Sequence, residues 1–169
     1  MKKPITFNDI DIVIALGNPG AEYVNTYHNA GALFVHFIKE SSFATPLAIE
    51  SLGVFMNTSG PAAQKQLKKN GVSPERMLLI HDDVDIPLGE YKLSFGGGAA
   101  GHHGVESVID SLGTKDFWRL RIGIAKTFAT PEGAVIKKKA MDYVLKPIST
   151  KDLELMHTAF EQASEALIG

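Results

Sequence analysis

The sequence predicts an α/β protein, a single globular domain over residues 1–169 with a central mixed β-sheet flanked by helices. Its length of 169 residues fits one domain. Its composition, 44% hydrophobic and 21% charged, is that of an ordinary globular protein. Short, β-branched apolar runs alternate along the chain with longer stretches whose apolar residues recur at helical spacing. This alternation is typical of a layered domain in which helices cover a largely parallel sheet.

The first half of the chain supplies two predicted strands and two predicted helices. Residues 10–16 (IDIVIAL) are too short and too apolar for a surface helix, so they predict a buried strand that ends in a GNPG turn. Residues 30–39 carry apolar side chains at helix spacing, and a weaker apolar run predicts a strand over residues 51–56. Residues 60–70 predict a helix, because an Asn-Gly pair ends the stretch.

The second half continues the same alternation. Residues 77–81 (MLLIH) predict a second buried strand, and residues 91–95 predict a short strand before a glycine-rich loop. Residues 104–112 predict a helix, and residues 120–125 (LRIGIA) alternate as a strand does. Residues 150–167 predict a long amphipathic helix.

Charge and cysteine content exclude several classes of protein. Seventeen basic residues against nineteen acidic ones give a net charge of −2, which excludes a polybasic protein but not a local basic patch. The absence of cysteine excludes disulfides, zinc–thiolate sites and thiol nucleophiles. The N-terminus shows no secretory signal, and no apolar run approaches the roughly 20 residues that span a membrane. We therefore expect a cytoplasmic protein without a membrane segment.

Polar residues follow the predicted strands at the edge where α/β proteins bind ligands. Asn18 follows the first strand and could present a fixed carboxamide, although Asn-Pro-Gly is also an ordinary turn sequence. Asp82 follows the strand over residues 77–81, and the loop over residues 96–104 opens a helix. Glycines let backbone N–H groups approach an anion, but this loop lacks the G-K-[ST] ending of a P-loop.

His28, just before the first helix, is a candidate general base, since imidazole titrates near neutral pH. One of the carboxylates after residues 77–81 could orient that imidazole and stabilise its protonated form. Two other interpretations stay open for this acidic segment. A divalent metal could bind His81, Asp82, Asp85 and His102, or the segment could be a solvated turn.

The segment Phe55-Met56-Asn57 allows two interpretations of its own. An aromatic ring and a thioether could form an apolar wall with Asn57 as a polar handle, or the segment could be a core edge that caps the next helix. Basic residues gather in the second half, including a run over residues 137–139. Such a run is usually solvated, but beside a binding site it becomes a surface for phosphates.

Taken in order, the motifs closely resemble those of the bacterial peptidyl-tRNA hydrolase family. They are LGNPGAEY at residues 16–23, YHNAG at 27–31, FMNTSG at 55–60, the His-Asp pair at 81–82, the glycine loop at 96–104, and RLRIGI at 119–124. The resemblance runs from about residue 12 to residue 145 and so covers nearly the whole domain.

The resemblance implies hydrolysis of the ester between a peptide and the 3′ end of tRNA. It implies that His28 activates water, that Asp82 orients this imidazole, and that Asn18 recognises the peptide side of the ester. The residues implied to contact the substrate near the scissile bond are Tyr23, Phe55, Met56, Asn57 and His103. It further implies a monomer that contacts the acceptor stem and 3′ end of peptidyl-tRNA and uses no metal or other cofactor.

This sequence departs from the family at His103, where an asparagine is usual. If His103 lines the site, its positive charge at low pH would lower the pKa of His28. Two competing classes are a non-catalytic RNA-binding relative, which the departure at His103 favours, and the metallohydrolase described above.

Overall fold

The computed structural model describes residues 4–42 and 47–169 and shows a five-stranded mixed sheet. The strands are β1 (Ile12–Ala15), β2 (Ala48–Ser51), β3 (Met77–Pro87), β4 (Tyr91–Phe95) and β5 (Trp118–Ala125). Their order is β2-β1-β3-β5-β4, and only β4 runs antiparallel to its neighbour. The predicted α/β class with a mixed sheet is confirmed.

Four helices cover the two faces of this sheet. They are α1 (Ala30–Glu40), α2 (Ser59–Asn70), α3 (His103–Leu112) and α4 (Thr150–Ile168). Alternate residues of β1 face opposite sides: Val13 packs in the cluster that contains α1 and α4, and Ile14 packs in the cluster that contains α2 and α3. Because helices bury both faces of β1, the side chains on both faces are apolar, and the strand is a continuous apolar run in the sequence.

Two predicted strands need correction. Residues 51–56 are not a strand: β2 ends at Ser51, where its parallel partner β1 also ends, and Gly53 then turns the chain with a φ of +62°. The strand predicted over residues 77–81 continues to Pro87, because β3 keeps pairing with β5 through its polar residues. Asp82 therefore lies inside a strand, and the interpretation of this segment as a solvated turn is wrong.

A two-stranded hairpin was not predicted from the sequence. Its strands β6 (Thr127–Ala129) and β7 (Val135–Lys137) pair antiparallel outside the main sheet. The residues of β7 are all exposed, so the hairpin leaves no alternating apolar pattern from which it could be predicted.

The order of the strands places a crevice between β1 and β3. The chain leaves β1 for β2 on one side and later enters β3 on the other, so the connections diverge at the carboxyl ends of β1 and β3. Ligands of open α/β sheets bind at such a switch point. Asn18 follows β1, and Asp82 is the middle residue of β3, just beyond Ile80, which pairs with the last residue of β1, so both are close to this crevice.

The contact between α2 and α3 depends on Gly60, and the Gly60→Ala variant tests this. A Cβ at residue 60 would lie 1.9 Å from the Ser107 carbonyl oxygen, so the two helices must move apart. We expect the free energy of unfolding in urea to fall by about 1–3 kcal/mol or more. Gly98→Ala is the matched control, since a Cβ there meets nothing within 4 Å. Equal urea midpoints for the two variants would contradict this close packing.

Candidate active site

His28 and Asp82 form a hydrogen-bonded pair at the crevice. His28 lies in a short 3-10 helix, Tyr27–Asn29, and its backbone N–H donates to the Val144 carbonyl at 2.8 Å. Its Nδ1 lies 2.8 Å from Oδ2 of Asp82, a side chain that is only 1% exposed. Two predicted site residues, distant in sequence, are therefore brought into direct contact.

The charges of this pair follow from burial and from the neighbouring imidazoles. Burial would raise the pKa of Asp82, but its interactions with the imidazoles of His102 and His28, which hydrogen-bond to its two oxygens, outweigh burial and hold that pKa well below its usual range. Burial would lower the pKa of His28, but the negative charge and hydrogen bond of Asp82 outweigh it and raise the pKa above 6.5. Because its pKa lies well below the usual range, Asp82 is ionised at neutral pH.

An ionised carboxylate can only accept hydrogen bonds, so Nδ1 of His28 carries the proton in this contact. In the neutral ring, Nε2 then has a free lone pair. An imidazole with Nδ1–H held by a carboxylate and Nε2 unprotonated is the arrangement that a general base requires.

A second imidazole, His102, binds the other oxygen of Asp82. Its Nε2 lies 2.7 Å from Oδ1 of Asp82, and its ring centroid lies 5.0 Å from that of His28. His102 was considered in the sequence only as a metal ligand. In the structure His102 is the N-cap residue of α3. The sequence signal that could have located it is the predicted start of this helix at residue 104.

His81 and Asp85 do not join this cluster as the metal interpretation requires. His81 is buried, and its Nδ1 contacts the backbone oxygen of Asp82 at 2.7 Å. Burial, with His102 nearby, lowers the pKa of His81 to about 3, so this ring stays neutral. Asp85 is exposed and pairs with Lys137 at 2.8 Å. The four side chains proposed as metal ligands are therefore not assembled.

His28, Asp82 and His102 do bring three potential ligand atoms within 4.8 Å of one another. The nitrogen–oxygen distances of 2.8 and 2.7 Å are hydrogen-bond distances. Two ligands of one tetrahedral zinc ion would lie about 3.3 Å apart, given bonds of about 2.0–2.1 Å. The cluster therefore has the spacing of a hydrogen-bonded chain rather than that of a coordination sphere.

Asn18 is held in place by three hydrogen bonds to Asn29 and Met56. Its backbone N–H donates to Oδ1 of Asn29 at 2.8 Å, and Nδ2 of Asn29 donates to its carbonyl at 2.9 Å. Its own Oδ1 accepts from the backbone N–H of Met56 at 3.0 Å. The carboxamide orientation is thereby set, and its Nδ2 is the group left to donate to a ligand. Asn29, which the sequence analysis did not single out, directly follows His28 in the chain and so joins Asn18 to the segment that carries His28.

The aromatic residues predicted to contact the substrate lie together. Tyr23 and Phe55 make an edge-to-face contact with ring centroids 6.1 Å apart, and Phe55 is half exposed. Met56 is buried, so it forms the core edge that the alternative interpretation described. Asn57 is exposed, and its carbonyl accepts a hydrogen bond from Ser107 Oγ at 3.1 Å. Phe55 and Asn57 are therefore accessible to a ligand, whereas Met56 is packed in the core.

A cleft of about 430 Å³ opens beside the His28–Asp82 pair. Its wall includes the glycine loop, which Arg119 holds by donating to the carbonyl oxygens of Gly96 and, at 3.0 Å, Gly98. Arg121 lines the cleft and pairs with Asp83 at 2.7 Å. Buried Arg119 is a further residue that the sequence suggested only as one of many basic side chains.

His103 borders this cleft, but its ring is directed into solvent. The side chain is 82% exposed, and its Nδ1 lies 3.7 Å from Oε2 of Glu106. The imidazole that contacts the ring of His28 is that of His102. His103 can thus meet a bound substrate at the edge of the cleft, whereas the predicted charge coupling to His28 is weakened by solvent.

Comparisons with known proteins identify the family of this chain. A model of the family described as peptidyl-tRNA hydrolase matches residues 12–168. The peptidyl-tRNA hydrolase of Lawsonia intracellularis is 33% identical over 175 residues, 92% of this chain and 84% of that protein. The peptidyl-tRNA hydrolase of Dehalococcoides mccartyi strain CBDB1 is 35% identical over 174 residues, 92% of this chain and 90% of that protein.

The fold agrees with that of solved members of the same family. The crystal structure of peptidyl-tRNA hydrolase from Acinetobacter baumannii superposes with a TM-score of 0.78 at 27% sequence identity, covering 95% of this chain and 89% of that chain. Within residues 4–42 and 47–169, no helix is both long and apolar enough to cross a bilayer. The chain belongs to the peptidyl-tRNA hydrolase family and is a hydrolase.

Proposed function

We propose that this hydrolase cleaves the ester between a peptide and the 3′ end of tRNA by attack of a water molecule that His28 activates. The observation that carries this proposal is the His28–Asp82 contact at 2.8 Å, which fixes the proton on Nδ1 and leaves Nε2 as a base. Family membership supports the choice of substrate.

In this reaction His28 first accepts a proton from water and later returns it to the leaving ribose oxygen. Nε2 of His28 takes a proton from water while the water oxygen attacks the ester carbonyl, and Asp82 stabilises the resulting imidazolium. The tetrahedral intermediate then collapses, the bond to the ribose oxygen breaks, and the imidazolium returns the proton to that oxygen. The products are tRNA with a free terminal hydroxyl and the peptide carboxylic acid, which ionises to the carboxylate by releasing its proton to solvent. This scheme uses no metal or other cofactor.

The peptide side of the substrate is assigned to Asn18 and its neighbours. Nδ2 of Asn18 can donate to a carbonyl of the peptide, because Met56 already binds Oδ1. The exposed ring of Phe55, braced by Tyr23, supplies apolar surface for the same ligand. His103 at the edge of the cleft and exposed Asn57 are assigned as further polar contacts.

The tRNA side is assigned to a basic groove beside the cleft. Its volume is about 710 Å³, and its basic residues are Lys126, Lys137, Lys138, Lys139 and Lys146. Lys126 pairs with Asp152 and Lys137 with Asp85, so we assign the phosphate contacts to Lys138, Lys139 and Lys146. Such contacts add affinity for the acceptor stem without reading its sequence. We further propose that the enzyme acts as a monomer in the cytoplasm.

The substrate assignment is tested by comparing N-acetylated with unmodified aminoacyl-tRNA. The purified enzyme should release free tRNA from the N-acetylated substrate and should act much more slowly on the free amine. The Asn18→Ala variant should lose most of this preference, because its missing Nδ2 is the proposed donor to the blocked end. Equal rates on both substrates would contradict the assignment of Asn18, and release from neither would contradict the function.

The pH dependence of hydrolysis follows from the pKa of His28. Only the neutral ring can accept a proton, and the contact with Asp82 raises the pKa of His28 above 6.5. We expect kcat/KM to rise with pH through a midpoint above 6.5, since the fraction of neutral His28 increases. His81 does not add a second transition there, because its pKa is about 3. A midpoint below 6.5, after subtraction of uncatalysed hydrolysis, would contradict this assignment.

The family usually has asparagine where this chain has His103, and the His103→Asn variant tests whether this difference changes catalysis. Because the ring is 82% exposed, we expect kcat to stay within about threefold of the wild type and the acid limb of kcat/KM to stay in place. A change confined to KM would agree with a contact at the rim of the cleft. A shifted acid limb would show that His103 couples to His28 as the sequence suggested.

A further inference from the structure

We propose that His102 is a positioning residue: the start of α3 fixes its ring as a neutral Nε2–H donor, and this donor holds Asp82 in the orientation that His28 needs. The inference rests on the proposed function, in which His28 is the base. It assigns His102 a defined proton position and a task separate from contact with substrate.

The start of α3 fixes the proton on this ring. Nδ1 of His102 accepts hydrogen bonds from the backbone N–H groups of Gly104 at 3.1 Å and Val105 at 3.2 Å. A protonated Nδ1 could not accept either bond, and a cation at a helix N-terminus is opposed by the helix dipole. The ring is therefore neutral, and its one proton is on Nε2.

That proton is directed at Asp82. Nε2 of His102 lies 2.7 Å from Oδ1, while Nδ1 of His28 lies 2.8 Å from Oδ2. The carboxylate is thus bound by one donor at each oxygen, and the two donors come from different elements. With a side chain that is 1% exposed, Asp82 depends on these two donors for its orientation and for stabilisation of its charge.

The absence of a side chain at Gly104 leaves room for the His102 ring at the N-cap of α3. A Cβ at Gly104 would lie 3.1 Å from Cε1 of His102 and 2.8 Å from Sδ of Met56. Serine, threonine, aspartate and asparagine are the usual N-cap residues, and each has a shorter side chain than histidine. An imidazole has two nitrogens on opposite sides of its ring, so one residue can cap α3 and also reach β3.

Few other titratable or charged groups lie near Asp82, His28 and His102 in the part of the chain that the structure describes. Buried His81 contacts the ring of His102 at a centroid distance of 5.0 Å and is neutral, with a pKa of about 3. Arg119 lies near His81, and Tyr143 lies near Asp82 with a pKa above its ordinary value, largely because of burial. Within the described parts of the chain, Asp82 is the carboxylate bound to His28 and to His102.

The His102→Asn variant separates the two tasks, because asparagine can cap α3 but is too short to occupy the place of Nε2. We expect kcat to fall about 10- to 100-fold with little change in KM. We also expect the acid limb of kcat/KM to move to higher pH, since an Asp82 carboxylate without its second donor stabilises the His28 imidazolium more strongly. The urea midpoint should stay close to that of the wild type.

Two further variants complete the comparison. His102→Ala removes both the cap and the donor, so it should show the same kinetic change together with a lower urea midpoint. His36→Asn is the control, because this exposed ring pairs only with Glu40 on its own helix among the contacts described, and it should match the wild type. Wild-type kcat and an unmoved acid limb in His102→Asn would overturn the inference, as would a loss of kcat with no shift of that limb.

A nitrogen-15 NMR measurement on the wild-type enzyme tests the proton position without any substrate. The chemical shifts of His102 should show a proton on Nε2 and none on Nδ1 at neutral pH. A proton on Nδ1, or on both nitrogens, would overturn the inference. If the wild-type enzyme failed to hydrolyse peptidyl-tRNA, the proposed function would fail, whereas the NMR result would still decide the state of His102.

Discussion

Replacing His28 with alanine should lower kcat by about 10²- to 10⁴-fold, the usual contribution of a general base. The variant has no group at the position of Nε2, so water must attack the ester without losing its proton to the enzyme. Binding of tRNA should be retained, because the lysines assigned to the phosphates lie in a separate groove. Single-turnover hydrolysis of N-acetylaminoacyl-tRNA measures the rate, and filter binding of uncharged tRNA measures the affinity.

His36→Ala provides the matched control for this variant. Its ring is exposed on α1 and pairs with Glu40, so its loss should leave both rate and binding unchanged. If His28→Ala retained more than about a tenth of the wild-type rate, His28 would not be the base. If it lost tRNA binding as well, the loss of rate would reflect a damaged surface rather than a missing base.

Asp82→Asn should reduce kcat by nearly as much as loss of the base, about 10²- to 10⁴-fold. An amide carries no charge to stabilise the imidazolium, and its NH₂ group can donate to Nδ1 of His28, which would place the ring proton on Nε2. The pKa of His28 should also fall, because burial lowers it and the opposing charge of Asp82 is gone. The acid limb of kcat/KM should therefore move to lower pH while its plateau drops.

The neighbouring carboxylates serve as controls for Asp82→Asn. Asp83 pairs with Arg121 at the cleft wall, and exposed Asp85 pairs with Lys137, so neither contacts His28. Asp85→Asn should keep near-wild-type kcat, and Asp83→Asn should act mainly through KM. A larger loss of kcat in Asp85→Asn than in Asp82→Asn would show that the wrong carboxylate is assigned.

The sequence predicted that Asn18 and Asp82 lie near one another. The apolar runs over residues 10–16 and 77–81 each predict a buried strand, and parallel strands bring their carboxyl ends to one edge of a sheet. In the structure Asp82 lies within β3, just beyond Ile80, the residue that pairs with Ala15 at the end of β1. The His28–Asp82 contact was anticipated from chemical complementarity and from family resemblance. Its distance and the buried state of Asp82 required the fold.

What the sequence did not predict depends on contacts between distant segments. The roles of His102 and Asn29 arise from hydrogen bonds across 20 and 11 residues, which no local pattern encodes. The polar end of β3 was missed because a buried strand is expected to be apolar, whereas here the buried polar residues are the site itself. The sequence could not predict the orientation of His103, because at the first residue of α3 a ring can face either the cleft or solvent.

The central claim is that His28 activates water for ester hydrolysis without a metal ion. The measurement that tests it most directly is the rate of release of tRNA from N-acetylaminoacyl-tRNA by the purified wild-type enzyme and by His28→Ala, each with and without excess EDTA. We expect the wild-type rate to be the same in both conditions and the rate of His28→Ala to be at least about 100-fold lower in both. A wild-type rate that EDTA abolishes and an added divalent metal restores would contradict the account.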